Sequence, residues 1–593
     1  MPSFRLLAAS VLAVLASALA CAQSPASDPS AQLKALLDED LDASLRRNPF
    51  QATARGIPGY DDLLPDYSRS GLEREHERER RTLERLGAID ATKLRGQEHV
   101  SYELLEDKLR RAVEGQRYRD AESLALSTLG GVQSMMPRAA QVFAFRTAAN
   151  YRDYVKRIEG MPKAVDDLIE RLRGGIKSGW MSPKPVLDRV IAAIDAHLVE
   201  DAANSPLMQP FKRVPAAVTA DEREKLASAT RRAIAEDYQP ALRKLKAFID
   251  AEYRPKAPDE AGLGAFPGGE AYYEYLIRSR IIPGYTAKEI HEYGLAEVKR
   301  LRAEIGAIAK EVGFAGTTDE FIHYVRTDPK FYFKSTEEVL AAYRAMAARV
   351  DPQLPKLFHH VPRMPYAVRA MTPAEAASST AANYQIGSLV LGTSGYFTLD
   401  AADYSHQPTW EVETLFLHEA VPGHHMQSAR AAEVEGLPPW RTVGGGYNVA
   451  YGEGWALYAE TLGYALGFYR DPYQRYGHLQ AELFRAARLV VDTGIHAFKW
   501  RRERAIAFMG HEGATEEKFA VSEVDRYFSN PSQALGYKLG LRRIVELRRR
   551  AEAALGARFD VRDFHAVAID NGPMPIPVLE KLVDEWIAGA PPR

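Results

Sequence analysis

Apolar residues recur every three or four positions along most of this chain, with charged residues between them. This spacing places the apolar side chains on one face of a helix, so it predicts amphipathic α-helices. Thr286, which precedes one such segment, is the expected N-cap. The predicted fold class is mostly α, a large helical body. The pattern is clearest in residues 31–45, 71–86, 147–176, 182–198, 219–249 and 287–309.

Residues 384–400 depart from the helical pattern. Ile386, Leu389, Val390 and Tyr396 stand there among glycines and threonines, which is typical of short strands. We therefore expect a small β element at this point of the chain. A core hairpin without a direct role in function is the alternative interpretation of the same residues.

A run rich in proline and glycine at residues 255–269 marks a break between two halves of the chain. We therefore expect an N-terminal helical region over residues 22–275. A second helical region over residues 276–593 would hold the candidate catalytic residues described below. No internal repeat and no low-complexity tract is visible in the sequence.

Residues 1–21 have the features of a secretion signal. Arg5 precedes an apolar stretch at 6–20, which ends in small residues and is too short to span a membrane. Cleavage near Cys21 would release the protein beyond the inner membrane. We expect a periplasmic or secreted protein, and the alternative is an envelope lipoprotein with its lipid on Cys21.

Composition narrows the classes of function. The formal net charge is −2 and the pI is near 6.8. This charge balance gives no argument for binding nucleic acid or an anionic membrane surface. Cys21 is the only cysteine, so the mature fold can form no internal disulfide and use no catalytic thiol. A membrane contact is expected only through a lipid on Cys21.

The candidate chemistry lies near residue 418. His418 and Glu419 end an apolar run, and His424 and His425 follow six and seven residues later. In the zinc-binding pattern H-E-x-x-H the second histidine follows the first by four residues, and this chain has Pro422 at that distance from His418. The proline and the glycine after it favour a broken helix.

We therefore expect His418 and one of His424 or His425 to converge on one metal ion across a distorted turn. Glu419 would then stand beside the water that such an ion activates. The alternative interpretation is a set of hydrogen-bonded core histidines. The grouping of three histidines and one glutamate in eight residues favours the metal, because the whole chain has 15 histidines.

A third metal ligand should come from another segment, and Glu453 is the best candidate. It enters an apolar, aromatic stretch, where a carboxylate is costly unless it is paired or metal-bound. Glu460 lies seven residues later, on the same helical face, where it could support a ligand or replace one. In the alternative interpretation both glutamates are exposed on an amphipathic helix.

A second group of polar residues repeats at a spacing of four. Arg488, Asp492 and His496 would lie along one helical face. His496 could donate to a substrate while Asp492 sets its tautomer, or all three could form a buried structural network.

Arg526 and Lys538 are the cations best placed in sequence to bind a substrate carboxylate, and Arg526 is preferred because it binds carboxylates bidentately.

These motifs resemble the domain of unknown function 885 family, large secreted bacterial proteins similar to zinc peptidases. The resemblance extends over nearly the whole mature chain. The segments that carry it are Pro408 to Trp410, His418 to His425, Glu453 to Trp455, Arg526-Tyr527, Pro531 to Ala534, Gly536 to Gly540, Phe564-His565 and Asn571 to Pro575.

The family in turn resembles the helical gluzincin peptidases of the thimet-oligopeptidase and angiotensin-converting-enzyme kind. This implies a gluzincin-like helical body with a deep cleft and a small β element next to the metal helix. It also implies one zinc ion per chain, held by His418, His424 and Glu453. Aligning the Gly-His pairs favours His424 as the second ligand, and His425 is the alternative.

The resemblance also implies roles around the metal. Glu419 would act as the general base. A tyrosine from a late segment would stabilise the charge on the attacked carbonyl oxygen, with Tyr537 the first candidate and Tyr527 the second. The strand-like residues 384–400 would align the substrate backbone through main-chain hydrogen bonds.

The function we expect is a zinc-dependent hydrolase that cleaves amide bonds of short peptides in the bacterial envelope. An amidase acting on amino-acid conjugates is a close alternative, so the expected partner is a short peptide or an amino-acid amide. A second alternative is a non-catalytic, envelope-associated binding protein that retains the metal site. The presence of His418, Glu419 and Glu453 together favours the enzyme, because a binding protein has no need for the base.

Overall fold

The structure is a computed structural model that describes residues 28–128, 130–372, 375–376 and 382–589. The expected signal segment and Cys21 lie outside the described residues, so their cleavage and lipid attachment remain predictions. In the part of the chain that the structure describes, no helix is both long enough and apolar enough to cross a membrane.

The fold is mostly α with a small β element, as the sequence predicts. The α-helices of the described residues, numbered in chain order, are α1 Pro29–Arg47, α2 Pro49–Arg55, α3 Arg69–Gly87, α4 Gln97–Gly115, α5 Val132–Val142, α6 Ala148–Glu159, α7 Met161–Ser178, α8 Lys184–Asp195, α9 Ala220–Ala233, α10 Gln239–Phe248, α11 Gly269–Leu276, α12 Ala287–Glu311, α13 Thr318–Thr327, α14 Thr336–Val350, α15 Val412–Glu419, α16 His424–Glu433, α17 Pro439–Thr442, α18 Val449–Leu466, α19 Pro472–His496, α20 Arg502–His511, α21 Glu517–Ser529, α22 Gly536–Leu555, α23 Val561–Ile569 and α24 Ile576–Ile587.

Local sequence signals set the helix ends. Thr286 caps α12 as predicted, and Glu289 completes a capping box with it. The segment predicted as one helix at 147–176 forms two, α6 and α7, which meet at Gly160. Pro162 starts the second of them, because proline fits the first turn of a helix and not its interior.

The β element is a sheet of three strands, β1 Tyr366–Ala370, β2 Ala382–Gln385 and β3 Gly395–Leu399. The strand order is β1-β3-β2, with β1 parallel and β2 antiparallel to β3. Phe397 of β3 is fully buried and faces the helices. The sheet lies next to the helices that carry the candidate metal ligands, because β2 packs against α15 and α16.

Two hydrophobic cores hold the helices together. One contains Leu104 and Phe416, and the other contains Leu187 and Val490. Each core therefore draws residues from both sides of position 275, so the two predicted regions are segments of the chain that pack together.

Helices α18 and α22 approach each other closely, which brings a late segment of the chain to the candidate site. Their contact is made through Gly454 and Gly540, and a Cβ on Gly454 would lie 2.5 Å from the Gly540 Cα atom. Only glycine fits at such a distance. Glu453 directly precedes Gly454, and Tyr537 lies one helical turn before Gly540. The contact therefore brings these two residues near one another.

Candidate metal centre

The segment around residue 418 forms two helices separated by a turn. Helix α15 ends at Glu419 and α16 begins at His424, with non-helical backbone at Ala420 and Gly423. A Cβ on Gly423 would lie 1.9 Å from the His418 carbonyl oxygen, so this position requires glycine. The Trp455 indole donates to the carbonyl of the intervening proline at 2.9 Å and holds the turn in place. The predicted broken helix is confirmed.

The break brings together the three residues expected to bind metal. Ligand atoms of His418, His424 and Glu453 all lie within 4.8 Å of one another. Glu453 Oε2 is 3.3 Å from His424 Nε2 and 3.8 Å from His418 Nε2. Tetrahedral zinc with bonds of about 2.0–2.1 Å separates its ligand atoms by about 3.3 Å. The cluster therefore has nearly the spacing that zinc requires.

His418 is held in the orientation of a metal ligand. Its Nδ1 atom lies 2.8 Å from Glu460 Oε1, and the Thr414 hydroxyl donates to Oε2 of the same carboxylate at 2.8 Å. The contact between His418 Nδ1 and Glu460 directs Nε2 of His418 toward Glu453, as in the carboxylate–histidine pairs that support metal ions. Of the two roles expected for Glu460, the geometry fits support of His418 and not replacement of a ligand.

Charge around the cluster keeps its carboxylates ionised. Burial opposes ionisation of Glu453, but His424, His418 and the Tyr537 hydroxyl lower its pKa to about 2. Burial likewise opposes ionisation of Glu460, whose pKa is nevertheless held far below its usual range by Arg485 and His418. Both carboxylates are therefore anionic at neutral pH and complement a cation.

Glu419 stands next to the cluster on the last turn of α15. It is buried, with 8% of its surface exposed. Within the described residues its carboxylate makes no hydrogen bond or ion pair with another side chain. A buried carboxylate without a protein partner is costly, so the position suits a group that exchanges a proton with a bound substrate or water.

His425 points away from the cluster. Its Nδ1 contacts the Tyr384 hydroxyl at 2.8 Å, and its Nε2 lies 3.1 Å from the Met364 carbonyl oxygen. Burial lowers its pKa to about 4, so the ring is neutral. With both nitrogens occupied, His425 joins α16 to the sheet, and the geometry favours His424 as the second ligand.

Tyr537 lies beside the cluster, as expected from its place in α22. Its hydroxyl contributes to the low pKa of Glu453, and Gln533 Nε2 lies 3.4 Å from its oxygen. The Arg488 guanidinium packs on its ring at 4.7 Å. The geometry is compatible with the role of Tyr537 as a hydrogen-bond donor to a substrate.

His496 is not part of the cluster, and both of its ring nitrogens contact backbone groups. Its Nδ1 accepts from the Leu263 amide at 3.1 Å, and its Nε2 lies 3.1 Å from the Tyr527 carbonyl oxygen. Asp492 bonds to the Tyr273 hydroxyl and the Ser532 amide instead of His496. The ring therefore serves as a buried structural link, the alternative interpretation.

Arg526 and Tyr527 belong to a buried ion-pair network with Arg488 and Glu523. Arg526 donates to both Glu523 oxygens, at 3.0 and 2.9 Å. The Tyr527 hydroxyl donates to Glu523 at 2.9 Å and accepts from Arg488 at 3.0 Å. These side chains pair with each other in this structure, and their contact with a substrate stays a prediction.

Lys538 is also committed to other side chains. Its ammonium pairs with Glu482 and lies 2.8 Å from Glu297 Oε2. It faces a cavity of about 770 Å³ between α12, α18, α19 and α22, lined largely by paired arginines and glutamates. Lys538 is therefore already paired with two partly buried carboxylates, and its contact with a substrate carboxylate stays a prediction.

Several residues of the site were not predicted from the sequence. Tyr447 is 55% exposed, and a Cβ on Gly452 would lie 2.7 Å from its hydroxyl, so it borders the cluster next to Glu453. His478 and Arg485 approach Glu460 at 3.6 and 3.7 Å. Their spacing of seven on one helix is a signal that could have placed them together.

A second group of possible ligands lies at the surface. His359, Asp560 and Asp563 have ligand atoms within 4.8 Å of one another. Asp560, however, is bound by the Arg562 guanidinium and caps α23. An exposed group whose carboxylate already has a cation is a weaker metal site than the buried cluster at His418.

Comparison with known proteins identifies the family. The family described as "Bacterial protein of unknown function (DUF885)" matches residues 49–583, and the chain belongs to it. Membership of this family does not give the activity of the chain, because the family description assigns no activity. No curated protein matches the chain.

Solved structures share this fold. A protein of Colwellia psychrerythraea described as a candidate lipoprotein is 26% identical, with a TM-score of 0.88 over 95% of this chain and 99% of its own. A candidate lipoprotein of unknown function from Shewanella oneidensis is 17% identical, with a TM-score of 0.67 over 94% and 100% of the two chains. A candidate oligoendopeptidase F from Bacillus anthracis is 10% identical over 87% and 94%, and its TM-score of 0.31 is too low to support an argument.

Proposed function

We propose that this protein is a zinc-dependent hydrolase that cleaves the amide bonds of short peptides. The observation that carries the proposal is the cluster of His418, His424 and Glu453, whose ligand atoms lie within 4.8 Å of one another. Glu419, a buried carboxylate without a side-chain partner among the described residues, stands beside it. A metal site with an adjacent free base is one arrangement that catalyses amide hydrolysis.

The donor set fits zinc better than other common divalent ions. Two imidazoles and one carboxylate are typical of catalytic zinc sites, whereas magnesium and calcium prefer oxygen ligands alone. Glu460 orients His418 at 2.8 Å. When bound, zinc would supply a Lewis acid and would acidify a water molecule to a pKa of about 7.

Glu419 would move the protons of the reaction. Its carboxylate accepts a proton from the attacking water and later gives it to the amine of the leaving group. Because Glu419 is buried and makes no hydrogen bond or ion pair with the described side chains, its carboxylate is available for both transfers. General bases of this kind typically contribute about a hundredfold to ten-thousandfold to the rate.

Tyr537 would stabilise the oxygen of the attacked carbonyl. Tyr537 lies on α22, which contacts the helix of Glu453 through Gly540 and Gly454, and the Arg488 guanidinium packs on its ring. Negative charge develops on that oxygen during attack, so a hydrogen bond there strengthens in the transition state. Such a bond lowers the barrier for turnover more than it tightens substrate binding.

The substrate class we propose is a short peptide, with an amino-acid amide as its smallest form. The strand β2 packs against both α15 and α16, so a substrate backbone running beside this sheet would pass the cluster. We also propose location in the bacterial envelope. The relatives described as candidate lipoproteins and the cysteine at position 21 support it.

Zinc content and hydrolysis of a mixed peptide library, measured on the same samples, test the proposal. We expect one zinc per chain in the wild type and little in His418→Ala or Glu453→Ala. His359→Ala, which changes an exposed histidine of the surface group, is the matched control and should keep both zinc and activity. Full zinc occupancy without hydrolysis of any peptide or amino-acid amide would contradict the enzyme and favour a binding protein.

A further inference from the structure

We propose that Gln533 is a positioning residue that fixes the direction in which Tyr537 donates its proton. The inference rests on the proposed function, in which Tyr537 donates to the substrate. Gln533 lies just before α22, one helical turn ahead of Tyr537. Its Nε2 atom is 3.4 Å from the Tyr537 hydroxyl oxygen.

Arg526 determines which end of the Gln533 amide faces Tyr537. Its Nη1 atom lies 2.7 Å from Gln533 Oε1, and a guanidinium group has only donors. The amide must therefore turn its carbonyl oxygen toward Arg526, which leaves its NH2 group facing Tyr537. Glu523 fixes Arg526 in turn, because it accepts from Nε and Nη2 at 3.0 and 2.9 Å.

The direction of the next hydrogen bond follows from the chemistry of the amide. An NH2 group can only donate, so the Tyr537 oxygen accepts from Gln533 and its own proton points elsewhere. The neighbouring acceptor is Glu453, because α18 carries it and contacts α22 through Gly454 and Gly540. The proton of Tyr537 is therefore directed at the metal cluster, where the substrate carbonyl would lie.

The turn that carries Gln533 is held in an unusual conformation. Ser532 has a φ of 69°, in the left-handed region, and its amide donates to Asp492 at 3.1 Å. Arg280 donates to the Pro531 carbonyl at 3.1 Å and to the Asn530 side chain at 2.9 Å. A residue other than glycine keeps such a conformation only where its surroundings hold it. The turn is thus fixed on two sides.

Two substitutions at position 533 distinguish a role of Gln533 in directing the Tyr537 proton from a role in packing alone. Gln533→Glu keeps the shape and the contact with Arg526, but a carboxylate accepts the Tyr537 proton and so reverses the hydrogen bond. Gln533→Met has a similar length and removes the bond without reversing it. We expect kcat to fall about tenfold in Gln533→Met and about a hundredfold in Gln533→Glu, with little change in KM.

A merely structural role predicts the opposite order, because Gln533→Glu preserves more contacts than Gln533→Met. Gln209→Glu makes the same change of charge at an exposed position and should leave kcat unchanged. An equal or milder loss in Gln533→Glu than in Gln533→Met would overturn the proposal. So would an undiminished effect of Gln533→Glu in a Tyr537→Phe background, where no hydroxyl remains to be directed.

A spectroscopic measurement separates this inference from the proposed function. 3-Fluorotyrosine introduced at position 537 reports the hydrogen bonding of that phenol through its ¹⁹F resonance without any turnover. We expect the resonance to move in Gln533→Glu and in Gln533→Met, and to stay in place in Gln209→Glu. A wild-type protein that hydrolyses no peptide would contradict the proposed function alone. A ¹⁹F resonance that is the same in all four proteins would overturn the role of Gln533.

Discussion

Glu460→Gln removes the negative charge that holds His418 and keeps the shape of the side chain. Glu460 is 1% exposed and accepts from His418 and Thr414, each at 2.8 Å. Its oxygens also lie 3.6 Å from His478 Nδ1 and 3.7 Å from Arg485. An amide has one acceptor oxygen where the carboxylate has two. The substitution therefore cannot serve all of these donors.

The expected loss is in metal affinity. Mutating a group that orients a metal-binding histidine typically lowers the metal affinity by about tenfold to a hundredfold. This loss corresponds to about 1.4–2.8 kcal/mol of binding free energy. We expect the loss of zinc affinity in Glu460→Gln to lie near the upper end of this range, because the hydrogen bond between Glu460 and His418 is buried and charge-assisted. Thr414→Val removes one hydrogen bond from an uncharged donor to the same carboxylate and should weaken binding by no more than about threefold.

Zinc titration of the metal-free protein against a chromophoric chelator gives these affinities directly. We expect the zinc Kd to rise in the order wild type, Thr414→Val, Glu460→Gln. Thermal unfolding of the metal-free proteins shows whether the fold survives each change. Equal zinc affinity in the wild type and Glu460→Gln, with both folded, would refute the argument that Glu460 orients a ligand.

Three further predictions concern neighbouring residues. Tyr537→Phe should lower kcat for peptide hydrolysis by about tenfold or more with little change in KM, and steady-state kinetics showing a change in KM alone would contradict this. Lys538→Met should lower the melting temperature without changing KM, because it leaves the partly buried Glu482 and Glu297 with Arg300 as their shared cation. A raised KM with unchanged stability would instead restore Lys538 as a substrate contact. Burial raises the pKa of Asp492 to about 7, so the native state binds the proton more tightly than the unfolded chain and loses stability as pH rises from about 4 to 7. Denaturant unfolding should show Asp492→Asn gaining stability relative to the wild type across that range, by up to roughly 4 kcal/mol, and a constant difference would contradict the shift.

The parts of the site that follow from local spacing could be predicted from the sequence. Pro422 at the fourth position after His418 requires a broken helix, which is what the structure contains. Glu453 in an apolar stretch needs a cation or another partner nearby, and it lies at the cluster. In both cases the physical cause acts within one or two helical turns, so neighbouring residues in sequence were sufficient evidence.

The partners of the other polar residues come from distant segments and could not be inferred. His425 is occupied by Tyr384 and Met364, which lie 41 and 61 residues away. Lys538 meets Glu482 only because α22 packs near α19. The sequence shows that such side chains are charged or polar. Whether they bind a substrate or each other depends on the packing of the helices.

The central claim is that His418, His424 and Glu453 bind one zinc ion beside Glu419. Anomalous diffraction at the zinc edge from crystals of zinc-loaded Glu419→Gln tests it most directly, since this variant should keep the metal while turnover is lost. The account predicts one strong peak about 2.0–2.2 Å from Nε2 of both histidines and from the Glu453 carboxylate. A peak at His425 instead, a peak only at the surface group around His359, or no peak at the cluster would contradict it.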